Sequence, residues 1–192
     1  MSRVKIAVAV ALVGAVTTAS AVAIAGGGKG AGTRLSGFEE VPAVLTEGEG
    51  KLKLRINRSD ETIDYRLSYE GLEGGNVLFA HIHVGQELAN GGVAAFLCGG
   101  GGKPPCPPEG EVEGTIAATD IQAITTQSLA AGDFEEFVRA IRRGLTYANV
   151  HTEQSPGGEI RGQIGSNGKN GHKGDDDSDD RGGRGGDSDS DD

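Results

Sequence analysis

The sequence predicts a mainly β protein, an antiparallel sandwich or barrel with one short helix. Three observations carry that prediction. Apolar and polar residues alternate in many short runs, glycine and proline separate the runs, and a single stretch has helical spacing. The domain is expected over residues 33–165, about 130 residues and a normal size for one core.

The elements follow in chain order. "TRLSGFEEVPAV" reads as a first strand running to Pro42, after a glycine-rich linker at 26–32. "EGEGKLKLRINR" sets Leu52, Leu54 and Ile56 against Lys51, Lys53 and Arg55, the period of a strand with one buried face. After the turn "SDE", "TIDYRLSYEGL" alternates again through Ile63, Tyr65, Leu67 and Tyr69, so the two runs predict a hairpin. "NVLFAHIHVG", "GGVAAFLC" and "GEVEGTIAA" are three further strands. A helix is expected near 133–143. Asp133 stands at the N-cap, Glu135 and Glu136 in the first turn, and Phe134, Phe137 and Ile141 at helical spacing; Arg142 and Arg143 close it and Gly144 stops it. "LTYANVHT" and "GGEIRGQIG" are the closing strands around "EQSPGG".

The two ends have different compositions. Residues 1–25 combine Arg3 and Lys5, a run of small apolar residues, and alanines at 19, 21, 23 and 25, the pattern of a secretory signal peptide. An uncleaved membrane anchor is the alternative, since the run is just long enough to span; cleavage would leave no stable membrane span. Residues 166–192 hold Asp, Ser and Gly with almost nothing to bury, so a disordered acidic tail is expected. The formal charge is −10, and from Asp175 onward nine aspartates face two arginines, a net of −7. That balance argues against nucleic acid as a partner. Loose calcium binding at "DDDSDD" is a further expectation, with a solubilising tail as the plainer one.

Cys98 and Cys106 enclose "GGGGKPP". Two close cysteines in an exported chain are most simply a disulfide. The glycine runs lack the Gly-Lys-Ser/Thr of a phosphate loop, and no Gly-x-Ser-x-Gly elbow occurs.

The candidate site comes from strand parity. Residues i and i+2 of a strand share a face. With Ala80, Ile82 and Val84 turned to the core, Phe79, His81 and His83 turn away from it. The same reasoning sets Tyr147, Asn149 and His151 opposite Ala148 and Val150, and Glu159, Arg161 and Gln163 opposite Ile160 and Ile164. If these strands are neighbours, His81, His83, Tyr147, His151, Asn149, Glu159 and Arg161 form one polar cluster. The first expectation is a hydrogen-bonded network that fixes strand register, with no cofactor and no catalytic residue. The alternative is a copper or zinc site on His81, His83 and His151, because three imidazoles suffice for either metal.

Four motifs then carry a resemblance: "LSGFEEVPAV", "AHIHVG", "NGGVAAFLC" and "YANVHTEQSPGGEIRGQI". In this order they resemble the CHRD (chordin) domain over residues 33–165. Glu40, Pro42, His81, His83, Gly85, Asn90, Gly91, Asn149, His151, Gly158, Glu159, Arg161 and Gly162 match its signature. The resemblance implies an immunoglobulin-like, Greek-key β-sandwich or barrel and no catalytic activity, in a chain similar to secreted single-domain bacterial proteins. A second resemblance, His-x-His on a sandwich strand with a further His, is to copper–zinc superoxide dismutase. This chain lacks that family's bridging histidine and its longer run of zinc ligands. The sequence therefore points to a secreted or extracytoplasmic, non-enzymatic module that binds an extracellular or envelope ligand or serves a structural role, with a dismutase-like copper or zinc protein as the alternative.

Overall fold

A computed structural model describes residues 30–166. The expected signal segment, most of the linker and nearly all of the acidic tail lie outside them. Eight strands form one antiparallel sheet: β1 Gly30–Ser36, β2 Glu49–Asn57, β3 Thr62–Glu70, β4 Val77–Val84, β5 Gly92–Cys98, β6 Gly110–Ala117, β7 Thr146–Thr152 and β8 Ile160–Ser166. Their order is β5-β4-β7-β8-β1-β2-β3-β6. The sheet curls until β5 and β6 approach each other, making a nearly closed barrel. The fold class expected from the sequence is the one found.

Two-residue periodicity builds the core. Leu52, Leu54 and Ile56 on β2 lie opposite Leu67, Tyr65 and Ile63 on β3, and all six are buried. Ala80, Ile82, Ala148, Val150, Ile160 and Ile164 supply the facing wall from β4, β7 and β8. Burial of each such aliphatic side chain is worth about 1.5–3 kcal/mol. One helix, α1 (Phe134–Arg142), packs on β8 through Phe134, Phe137, Val138 and Ile141. The Asp133 carboxylate caps it by accepting from the Glu136 backbone N–H at 3.1 Å, and Gly144 ends it at φ +70°.

The first strand differs from the reading of the sequence. It begins at Gly30, inside the expected linker, and stops at Ser36 rather than running to Pro42. Gly30 to Gly32 pair with Arg55, Leu54 and Lys53, because a ladder needs backbone groups rather than side chains. At Gly37 the chain leaves the sheet: Glu40 and Val44 both donate backbone N–H groups to the Gly37 carbonyl. The segment 37–48 then crosses the outer face as a strap, with a cis Val41–Pro42 peptide in it.

β5 and β6 share no ladder, so β5 is an edge strand whose unpaired groups find other partners. Gln122 N–H donates to the Ala94 carbonyl at 2.8 Å, and the Gln127 side chain accepts from Gly92 N–H at 2.8 Å. Tyr65 reaches from β3 over Gly114 of β6 and donates its hydroxyl to the Leu97 carbonyl at 2.7 Å. A β-carbon at Gly114 would stand 2.5 Å from that hydroxyl, so the crossing needs glycine there. The Cys98–Cys106 disulfide closes the loop that follows β5. Among the described residues no helix is long and apolar enough to cross a membrane.

Candidate functional site

β4, β7 and β8 are hydrogen-bonded neighbours, with His81 opposite Asn149, His83 opposite Tyr147, and Asn149 opposite Arg161. Their outward side chains leave the core but not the protein. The strap 37–48 bonds to Asn149 and Glu159, the loop 85–91 bonds to Arg161 and His83, and His81, His83, His151, Asn149, Glu159 and Arg161 are all buried. Buried polar groups need hydrogen-bond partners, and most of those on this face find them, in three separate places.

Glu159 sits at one end, and its hydrogen bonds go to partners other than the histidines. Its carboxylate accepts from Thr46 Oγ1 at 2.8 Å, Thr152 Oγ1 at 2.7 Å, Glu73 N–H at 2.7 Å and Gly74 N–H at 3.0 Å. Burial alone would raise its pKa, but these four donors outweigh burial and hold it below the usual 4.5.

Arg161 occupies the other end. Its guanidinium donates to Asn90 Oδ1 at 3.1 Å and to the carbonyls of Ala89 and Gln86 at 2.8 and 3.3 Å. Asn90 passes the contact on, donating to the Val41 carbonyl at 3.1 Å, so one chain of bonds ties loop 85–91 to the strap. The Arg161 Cζ lies 3.5 Å from the centroid of the Tyr147 ring, a cation–π contact. Between the two ends Asn149 donates to Glu40 Oε1 and to the Ile160 carbonyl. Burial pushes the Glu40 carboxyl up to about 7, against the pull of Asn149 and Arg161. Gly158, at φ +126°, leaves this pair its room, since a β-carbon there would overlap both side chains.

The histidines form the third group. Ligand nitrogens of His81, His83 and His151 all lie within 4.8 Å of one another. His151 pairs directly with Phe79, and its ring leans diagonally onto His81, with centroids 4.5 Å apart. Two backbone carbonyls fix the tautomers. His83 Nδ1 lies 3.0 Å from the Gly91 carbonyl oxygen and His151 Nδ1 lies 2.9 Å from that of Pro156. A carbonyl oxygen only accepts, so both Nδ1 atoms carry the proton and both Nε2 atoms carry a lone pair. His83 Nε2 meets His81 Nδ1 at 3.1 Å. His151 Nε2 is buried with no protein hydrogen-bond partner.

All three imidazoles are held neutral. Burial, and then the repulsion that a protonated ring here would meet from protonated His151 or His83, bring His81 down to about 3. Burial brings His83 down to about 4 and lowers His151 as well. Aromatic rings enclose the trio: Phe79 stacks on His81, Phe96 meets it edge-on at 4.8 Å, and Tyr147 stacks on His83 at 4.6 Å and 5°. Three neutral imidazoles, two of them oriented by carbonyls on the far nitrogen, have the chemistry of a metal ligand set.

The CHRD domain model matches residues 32–164. The chain belongs to the CHRD domain family. No curated protein and no solved structure gives a significant match to it. This CHRD domain thus contains the expected His81, His83 and His151 grouping, with Asn149 alongside, but keeps Glu159 and Arg161 on duties of their own. Glu40, Thr46, Asn90 and Thr152 complete the face and were not part of the expected cluster. Glu40 and Asn90 stood in the motifs, yet nothing in their local sequence places them over β7 and β8.

Proposed function

We propose that this CHRD-domain chain is an exported, non-enzymatic binding module whose ligand is a copper or zinc ion held by His81, His83 and His151. The observation that carries the reading is the buried, unpartnered Nε2 of His151 in a trio whose ligand nitrogens lie within 4.8 Å of one another, with His83 and His151 each anchored through Nδ1 to a carbonyl. Neutral imidazole is the form that binds metal, and the lowered pKa values keep it so at neutral pH. Two nitrogens on one tetrahedral ion at about 2.0–2.1 Å lie roughly 3.3 Å apart; His81 Nδ1 and His83 Nε2 are 3.1 Å apart in an N–H···N hydrogen bond, so an entering ion takes the place of that proton once His81 carries it on Nε2 instead. Arg161, Glu159 and Asn149 hold straps and loops, which supports a binding role over catalysis. The signal-like segment 1–25 and the disulfide support export.

The test is elemental analysis of the exported full chain from metal-replete medium. The reading expects about one equivalent of copper or zinc in the wild type and its loss in His83→Ala. Wild-type protein with no stoichiometric metal, before or after reconstitution, would leave the trio as a register-fixing network.

A further inference from the structure

Resting on the reading that the three histidines hold an ion, we propose that the ion is monovalent copper, selected over divalent zinc by charge rather than by donor type. Imidazole suits both metals, so the donors alone do not choose. The surroundings do. His81, His83 and His151 bring no charge, and the ligand group contains no carboxylate or thiolate. An entering ion therefore keeps its full charge in a buried site, where the desolvation penalty grows with the square of that charge.

A fixed cation adds to the penalty. Arg161 and His83 stack on the Tyr147 ring from the two flanking strands, so the guanidinium stands one ring beyond His83. The carboxyl that faces Arg161 is Glu40, which is only partly ionised near neutral pH and so only partly offsets it. Glu159 spends its charge on Thr46, Thr152 and two backbone N–H groups. A divalent ion meets twice the repulsion from Arg161 that a monovalent ion meets. Phe79 and Phe96 complete an apolar wall against His81, which suits a weakly hydrated soft cation. Sodium and potassium favour oxygen donors, which the trio does not offer.

The experiment is anaerobic competition of the full chain against a chromophoric copper(I) chelator, with parallel zinc(II) titration and silver(I) as a redox-inert probe. Copper(I) and silver(I) should bind one to one, with copper(I) at least about a hundredfold tighter than zinc(II). His83→Ala and His151→Ala should abolish binding while near-UV circular dichroism stays native. Arg161→Gln should narrow the gap about tenfold, whereas Arg161→Lys should keep it. Because Arg161 also holds loop 85–91, Glu40→Gln gives an independent check: at pH 8 it removes the opposing charge and should widen the gap. Zinc(II) binding as tightly as copper(I), or a gap unmoved by both Glu40→Gln and a folded Arg161→Gln, overturns monovalent selection and leaves the ion site standing. Failure of folded wild type to bind any of the three ions overturns both.

Discussion

Glu159 Oε1 accepts a hydrogen bond from Thr46 Oγ1 at 2.8 Å, joining positions 113 residues apart. That contact pins the far end of the 37–48 strap to the start of β8. Three more donors converge on the same carboxylate, and the group is 1% exposed.

Glu159→Gln should therefore destabilise the domain by about 3 kcal/mol, since an amide puts donors against donors. The folded pKa of Glu159 lies below its ordinary 4.5, so its contribution is complete above that value and is lost as pH falls through the folded pKa. Urea midpoints from pH 3 to 6 should show this acid loss in the wild type and a flatter profile in Glu159→Gln. Identical profiles would remove Glu159 as the source.

Glu40 works in the opposite sense. Its folded pKa is raised from 4.5 to about 7, chiefly by burial. The folded state then holds a proton that the unfolded chain has released, so stability declines as pH rises from 4.5 to 7, by roughly 3 kcal/mol at most. Glu40→Gln should be more stable than wild type at pH 8 and close to it at pH 4. Chemical denaturation at those two pH values is the measurement, and a wild type that gains stability between pH 5 and 7 would contradict the assignment.

Tyr65→Phe removes the hydroxyl that crosses to the Leu97 carbonyl and leaves that acceptor buried. A loss of about 1–1.5 kcal/mol is expected. Gly114→Ala should be worse, because its methyl group meets the same hydroxyl. In the double variant Tyr65→Phe/Gly114→Ala the two losses should sum to less than their separate values, which a double-mutant cycle measures.

Reducing the Cys98–Cys106 bond releases a loop closed over a separation of 8 residues and should lower stability by about 2 kcal/mol. Thermal melts with and without a thiol reductant measure it. An unchanged melting temperature in the reduced protein would make the bond irrelevant to stability.

Much of the fold was legible because a strand repeats every two residues. Parity alone sets Ile82 inward and His83 outward, and the same rule holds at Asn149 and Arg161. The α1 caps were legible for a similar reason, since Asp133 and Gly144 act on their immediate neighbours. What parity cannot say is what covers the outward face. Glu40 meets Asn149 across 109 residues and Asn90 meets Arg161 across 71, and no local pattern encodes such meetings. The end of β1 at Ser36 is not legible in the sequence, because Phe38, Val41 and Val44 imitate strand residues while serving a strap. The short turns between β6 and α1 have no periodicity to read, although Gln122 and Gln127 there supply the partners of the β5 edge.

The missing β5–β6 ladder makes the barrel a hoop with an unwelded join. Strands such as β2 and β7 are paired on both sides, so parting them breaks two rows of bonds. At the join scattered clasps stand in for a ladder, among them a tyrosine hydroxyl, a glutamine amide, a backbone N–H and the Lys103 ammonium on the Thr115 carbonyl of β6, with the Cys98–Cys106 bond at one end. Breathing motions should concentrate there, and a pull on the chain should unroll the wall from that line outward. The histidines of β4 lie one strand in from the same line, so the place where the hoop opens most readily borders the proposed ion site.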